Sequence, residues 1–250
     1  MVETQKGFLM TLIPLSREAH LGMRLRPLSS FAFAREMPVV RILATEVAQV
    51  APNFAIVLVK ENDAFVPFAL MGLAQGQNLF VSDEGRWLGL YVPAMLRRYP
   101  FMFGRSGEGA DSQPVLMVEQ EMLSSNDGEP LFGDQGAEPS GPIARAIQFL
   151  TEVEVRAAQT TTLVKSMADL DLFDPLPLQV VEAGGEPKPL GGLFTINEAK
   201  LAALADDAFL GLRRSGALGF AYAQLLSLGQ LARLQARASA KAGNIATPFV

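Results

Sequence analysis

The chain has 250 residues, 49% hydrophobic and 19% charged, and a formal net charge of −5; its mean hydropathy is +0.22 and its pI near 5.1. The 26 acidic residues outnumber the 21 basic ones and no basic block is present, which argues against nucleic acid as a partner. The absence of cysteine excludes disulfides, thiolate metal sites and cysteine nucleophiles, and fits a reducing compartment.

So apolar a composition implies a large private core or a buried interface with another chain, a homo-oligomer included. Phe8–Leu15 reads as a strand. Glu3 precedes it and Pro14 breaks it, so it does not read as an export signal. No run reaches the roughly 18 apolar residues needed to cross a bilayer. The expectation is a cytoplasmic protein without a membrane span.

A basic segment with His20, Arg24 and Arg26 follows, and then a turn at Pro27–Ser30. Ile42, Leu43, Val47 and Val50 recur at helical spacing, and Pro52 stops that helix at Ala51. Phe54–Lys60 and Phe65–Leu73 read as strands joined by the turn Glu61-Asn62-Asp63. Asn78–Ser82 and Arg86–Leu90 continue an antiparallel meander. Pro93 suits the first turn of a short helix to Tyr99, ended by Pro100. Gly104–Gln113 is a glycine-rich loop, and Pro114–Gln120 is a further strand.

Ser124–Pro142 is a long loop with Leu131 and Phe132 as apolar anchors; loops of this length are functional or disordered. From Ile143 the apolar positions step by threes and fours to Ala168, a helix of about 25 residues with Thr160-Thr161-Thr162 as its weak part. Leu176–Val181 and Pro189–Thr195 read as a hairpin around Gly184-Gly185. Thr195 and Glu198 have capping-box spacing for a helix running to about Arg214, and a last helix covers Leu218–Ala238. The fold class is α+β: an antiparallel β-rich N-terminal half (1–123) packed on a mostly α-helical C-terminal half (143–240, with the hairpin at 176–195). The 124–142 loop lies between them, and the whole forms one compact domain.

Catalytic inventory is sparse. One histidine and no cysteine cannot build the usual zinc or two-histidine iron sites, and no Gly-x-Ser-x-Gly elbow accompanies His20. Gly104–Gly109 lacks the lysine and the strand-to-helix setting of a phosphate loop. Asp169, Asp171 and Asp174 could hold a divalent ion if extended, or be solvated charges at a helix end. No catalytic residue, metal site or cofactor is assigned. The richest stretch is Gly85–Phe101. It holds the only tryptophan, and it places Tyr91, Tyr99 and Phe101 beside Arg97 and Arg98. Trp87, Tyr91, Arg97, Arg98, Tyr99 and Phe101 form the candidate ligand- or partner-binding set, since aromatics flanking arginines suit carboxylates and protein hot spots. The competing reading makes the aromatics core anchors with the arginines lying over them.

Gln77–Val81, Trp87, Tyr91-Val92-Pro93-Ala94 and Arg98-Tyr99-Pro100-Phe101 resemble the SapC family of bacterial proteins. So do Leu131-Phe132, Gly192–Glu198 with Leu201, and Tyr222–Leu228. Phe194 and Asn197 stand where the family pattern suggests tyrosine and aspartate. The resemblance implies a surface-layer-associated or accessory role, in partnership with halogenase-like flavoproteins, cupin-like oxygenases or TonB-dependent uptake receptors. It supplies no catalytic residues. The expected function is therefore a non-catalytic binding or accessory protein that recognises a protein, a peptide or a carboxylate ligand. The alternatives are an enzyme or oxygenase-like accessory working through carboxylates and arginines, and a structural surface-layer component.

Overall fold

The computed structural model of the chain describes residues 11–106, 113–133, 141–181 and 187–241. The start of the Phe8–Leu15 strand, most of the glycine-rich loop, residues 134–140 of the long loop, the Gly184-Gly185 turn and the tail after Lys241 lie outside them. The first half carries strand β1 (Leu12–Pro14), helix α1 (Arg17–His20), β2 (Arg24–Leu25), β3 (Val39–Arg41), α2 (Val47–Val50), β4 (Ile56–Glu61), β5 (Ala64–Leu70), α3 (Ala94–Arg97), β6 (Phe101–Ser106), β7 (Gln113–Glu119), β8 (Leu123–Ser124) and β9 (Glu129–Pro130). The second half carries α4 (Gly141–Ala168), β10 (Phe173–Pro175), β11 (Gln179–Val181), β12 (Pro187–Pro189), β13 (Leu193–Ile196), α5 (Glu198–Ala202), α6 (Asp206–Ser215), α7 (Ala217–Ser227) and α8 (Gln230–Lys241). This is the α+β arrangement read from the sequence.

The central sheet has the order β10-β13-β4-β5-β3, and every pairing in it is antiparallel. The β4–β5 hairpin forms where expected. Asn62 and Asp63 both take positive φ, 46° and 64°, as a two-residue hairpin turn requires to match the strand twist. Ile56, Val57 and Leu58 are fully buried, which explains why β4 reads as a continuous apolar run rather than an alternating one. A second sheet, β1-β7-β6, packs separately around Phe101, Val118, Leu123, Leu131, Ile143 and Leu150. Leu131 is its loop-borne anchor, fully buried with its N–H donated to the Met23 carbonyl at 3.0 Å.

Several expected elements take another form. The meander stops after β5: Asn78–Ser82 and Arg86–Leu90 are not ladders but a loop closed by one bridge, Val81 to Trp87. The sheet is completed instead by β13 and β10 from the second half, a long-range pairing that local periodicity does not report. The helix expected from Ile42 is a single 3-10 turn followed by α2, because β3 takes up the residues just before it. Thr195 lies in β13, opposite Asp174. The cap of α5 is Asn197, whose Oδ1 accepts from the Lys200 N–H at 2.9 Å. The two long C-terminal helices are each split. Ala205 is extended (φ −61°, ψ 149°) before α6, where Asp206 and Asp207 sit in the first turn and favour a new helix start. α7 ends at Ser227 and α8 begins at Gln230.

Gln224 and Ser227 on α7, both without solvent exposure, join the two halves. Beyond the Leu193–Val59 and Phe194–Leu58 pairs, β13 and β4 part. Gln224 fills the gap: its Nε2 donates to the Ile56 carbonyl (2.9 Å) and its Oε1 accepts from the Ile196 N–H (3.2 Å). Ser227 Oγ accepts from the Ile56 N–H at 2.9 Å. The amide stands in for a ladder hydrogen bond, and removing it leaves a buried donor and a buried acceptor unpaired. Gln224→Leu is therefore expected to cost about 3 kcal/mol in denaturant unfolding, whereas Leu226→Ala, at a site 79% exposed, stays within about 0.5 kcal/mol. Equal, small losses at both positions would contradict this role for Gln224.

Candidate functional site

The Gly85–Phe101 stretch runs from a tight turn through a loop and α3 into β6. Gly85 adopts φ +81°, and a Cβ there would meet Ser30 Oγ at 2.0 Å, so only glycine fits this close approach. The six candidate residues separate along the stretch into three environments.

Trp87 packs its ring against Phe31, Phe54 and Phe80, with centroids 5.5, 6.2 and 6.1 Å away. Its Nε1 donates to the Tyr91 carbonyl at 3.0 Å. Its polar atom is satisfied internally, and it lines none of the three cavities described below. Here the core-anchor reading applies.

Tyr91 and Arg97 belong to a network around Glu46, a buried carboxylate that sequence reading passed over. Glu46 Oε1 accepts from the Leu43 N–H (2.9 Å); Oε2 accepts from the Tyr91 hydroxyl (2.7 Å) and the Ala94 N–H (2.9 Å). Arg97 Nη2 lies 4.0 Å from Oε2 and donates to the Tyr91 oxygen at 3.2 Å, while its Nε donates to the Val92 carbonyl at 3.0 Å. The guanidinium also covers the rings of Tyr91 and Phe149. These groups line a cavity of about 260 Å³ that also holds Glu152 and Arg156, but those two pair with each other and Glu46 is engaged on both oxygens. The network binds α3 to the turn before α2.

Arg98, Tyr99 and Phe101 stand elsewhere. Together with Pro100 they form the wall shared by two larger grooves, of about 610 and 500 Å³. Phe101 is buried at the start of β6. The Tyr99 ring stacks on Phe33 at 3.9 Å, 5° from parallel. The half-buried Arg98 guanidinium makes no hydrogen bond or ion pair with the described residues. Burial pushes it below its ordinary pKa, the charge of Arg41 adds to this, and Glu154 opposes it. The first groove is walled by Phe33, Phe68, Tyr99 and Phe101 with Met37, Met95 and Met102, and it carries Arg41, Lys60 and Arg98 against one carboxylate, Glu61. Arg41 is paired with Glu61 and Lys60 with Asp63. The second groove carries Arg26, Arg97, Arg98 and Arg145 against Asp127 and Glu129; there Arg26 donates to a backbone carbonyl and Arg145 pairs with Glu129.

The remaining sequence candidates have structural roles. His20 is buried with Nδ1 against the Ser16 backbone. Asp169 pairs with Lys165, while Asp171 and Asp174 share Lys200 at 2.8 Å each. Among the described residues no three His, Cys, Asp or Glu side chains converge as metal ligands. Asn78 donates to the Ala34 carbonyl at 2.9 Å from within the core. Its side chain, like that of Gln224, is one that motif spelling singles out and internal bonding explains.

Two outcomes follow for the Glu46 network. Burial first, then the hydrogen bond and charge of Glu46, push the Tyr91 hydroxyl up to about 12; burial and then the charges of Glu119 and Glu121 do the same for Tyr99. A raised tyrosine pKa stabilises the fold below the ordinary value of about 10, and that contribution is lost as pH rises from about 10 through 12. Tyrosinate absorbance in the folded protein should therefore lag that of the unfolded chain, and Glu46→Gln should bring the Tyr91 step down. Glu46→Ala leaves the buried Leu43 and Ala94 N–H groups unpaired, with an expected loss of about 3 kcal/mol. A titration unchanged by Glu46→Gln would contradict the network.

No curated protein and no solved structure matches the chain. The SapC family model matches residues 15–234. That span takes in the Trp87 turn, the Glu46 network, the Arg98–Phe101 wall and the Gln224 bridge, and the chain belongs to the SapC family.

Proposed function

We propose that this protein is a non-catalytic binding or accessory protein whose ligand carries a carboxylate held by Arg98 in the first groove. The observation that carries this reading is the half-buried Arg98 guanidinium, unpaired among the described residues. A desolvated cation without a partner is costly to fold, and an incoming carboxylate would remove that cost through charge-assisted hydrogen bonds. The Tyr99 ring lines the same groove. The aromatic and methionine walls suit an apolar body attached to the acid; Met tolerates ligands of varied shape, and the volume is in the range of small-molecule and peptide sites. The ligand so described fits delivery to a partner such as the flavoprotein or uptake systems that the family resemblance suggests.

Calorimetric titration with decanoate and hydrocinnamate, against decanol and hydrocinnamide, tests the reading. The acids are expected to bind and the neutral analogues to bind much more weakly. Arg98→Gln should weaken acid binding about 10- to 100-fold, the equivalent of one lost charge-assisted contact, while Arg97→Gln leaves it within a factor of about three. Acids and neutral analogues binding alike, or no effect of Arg98→Gln, would refute it.

A further inference from the structure

The first groove runs from Val59–Glu61 of β4 across Phe68 of β5 to the edge strand β3. β3 is the outer strand of the central sheet. It hydrogen-bonds to β5 through its even-numbered positions: the Met71 N–H reaches the Pro38 carbonyl (2.7 Å) and the Ile42 N–H reaches the Pro67 carbonyl (3.0 Å). In an antiparallel ladder the alternate residues then turn their backbone groups outward. The N–H and C=O of Val39 and Arg41 make no hydrogen bond beyond β5 among the described residues. All three β3 residues line the groove; Val40, which is 4% exposed as a whole residue, points its side chain to the opposite face from Val39 and Arg41. The groove therefore borders β3 along its whole length.

We infer that the occupant of this groove is an extended peptide that adds a strand to β3 and places its C-terminal carboxylate on Arg98. This rests on the Arg98 reading and narrows it to one ligand class. Edge pairing supplies backbone hydrogen bonds without regard to sequence, and alternate side chains enter the apolar pocket. The charge balance of the groove, three cations to one carboxylate, favours an anionic terminus. The carboxylate completes the groove guanidinium that is unpaired among the described residues, and the peptide backbone completes the amides and carbonyls of Val39 and Arg41. A simple apolar acid satisfies only the first of these.

The test is fluorescence anisotropy with an N-terminally labelled hexapeptide of alternating valine and threonine, with decanoate titrated in parallel. The free-acid peptide is expected to bind. Its C-terminal amide should bind at least about 10-fold more weakly, and a copy N-methylated at alternate residues about 3- to 10-fold more weakly. Arg98→Gln should hold acid and amide alike. If the N-methylated peptide binds as tightly as its parent, or if decanoate binds and no hexapeptide does, strand addition is overturned while the Arg98 reading stands. If neither peptide nor decanoate binds, or if Arg98→Gln binds both acids as wild type does, both readings fall together.

Discussion

The Glu46 carboxylate is the constraint on which the candidate surface depends. A buried acid is tolerated only when its oxygens are hydrogen-bonded, and Glu46 accepts from Leu43, Tyr91 and Ala94. Two of these donors are backbone groups on segments about fifty residues apart in sequence. Their convergence fixes the start of α3 against the turn that leads into α2. α3 is a single helical turn, too short to hold itself in water. Its position, and with it the direction in which Arg98 leaves it, is set by that carboxylate and by the packing of Ala94 and Leu96. Arg97 completes the network from the solvent side, which leaves Arg98 as the arginine of the pair without a partner.

This division accounts for a puzzle in the Gly85–Phe101 stretch, where anchors and binding groups carry the same residue types. Trp87 and Tyr91 satisfy their polar atoms within the fold. Among the described residues Arg98 and Tyr99 do not, and both line the two grooves, which Trp87 and Tyr91 do not reach. Aromatic and arginine content alone cannot make the distinction, because it depends on what lies opposite each side chain. Arg97 meets Tyr91 and Phe149, whereas Arg98 makes no hydrogen bond or ion pair among the described residues.

The local features of the fold were legible in the sequence. Asn62-Asp63 announced a hairpin, Pro93 a helix start, and the three-four spacing from Ile143 a long helix, because each signal depends on residues next to one another. What escaped was decided at a distance. β13 pairs with β4 across more than a hundred residues, so the meander expected after β5 gave way to a bridge at Val81 and Trp87. Asn197 displaced Thr195 as the cap because β13 claimed Thr195 first. The breaks at Ala205 and Leu228-Gly229 fall in runs whose helical periodicity is uninterrupted. Glu46 carries no mark in the sequence, since nothing there shows that Tyr91 and Ala94 will meet it. The motif residues Asn78, Gln224 and Ser227 mark buried backbone satisfaction. Of the candidate residues, Arg98 and Tyr99 are the polar ones whose side chains make no hydrogen bond or ion pair among the described residues, and both line the first groove.

The most direct measurement of the central claim is the side-chain Nε–H resonance of Arg98 in a nitrogen-proton spectrum recorded while decanoate is added. A carboxylate docking on this guanidinium should shift and sharpen that signal in a saturable way, and leave the Nε–H of Arg97, already bonded to the Val92 carbonyl at 3.0 Å, close to its starting position. Saturable binding of the acid with the Arg98 resonance unmoved would contradict the account, because the ligand would then occupy some other part of the surface.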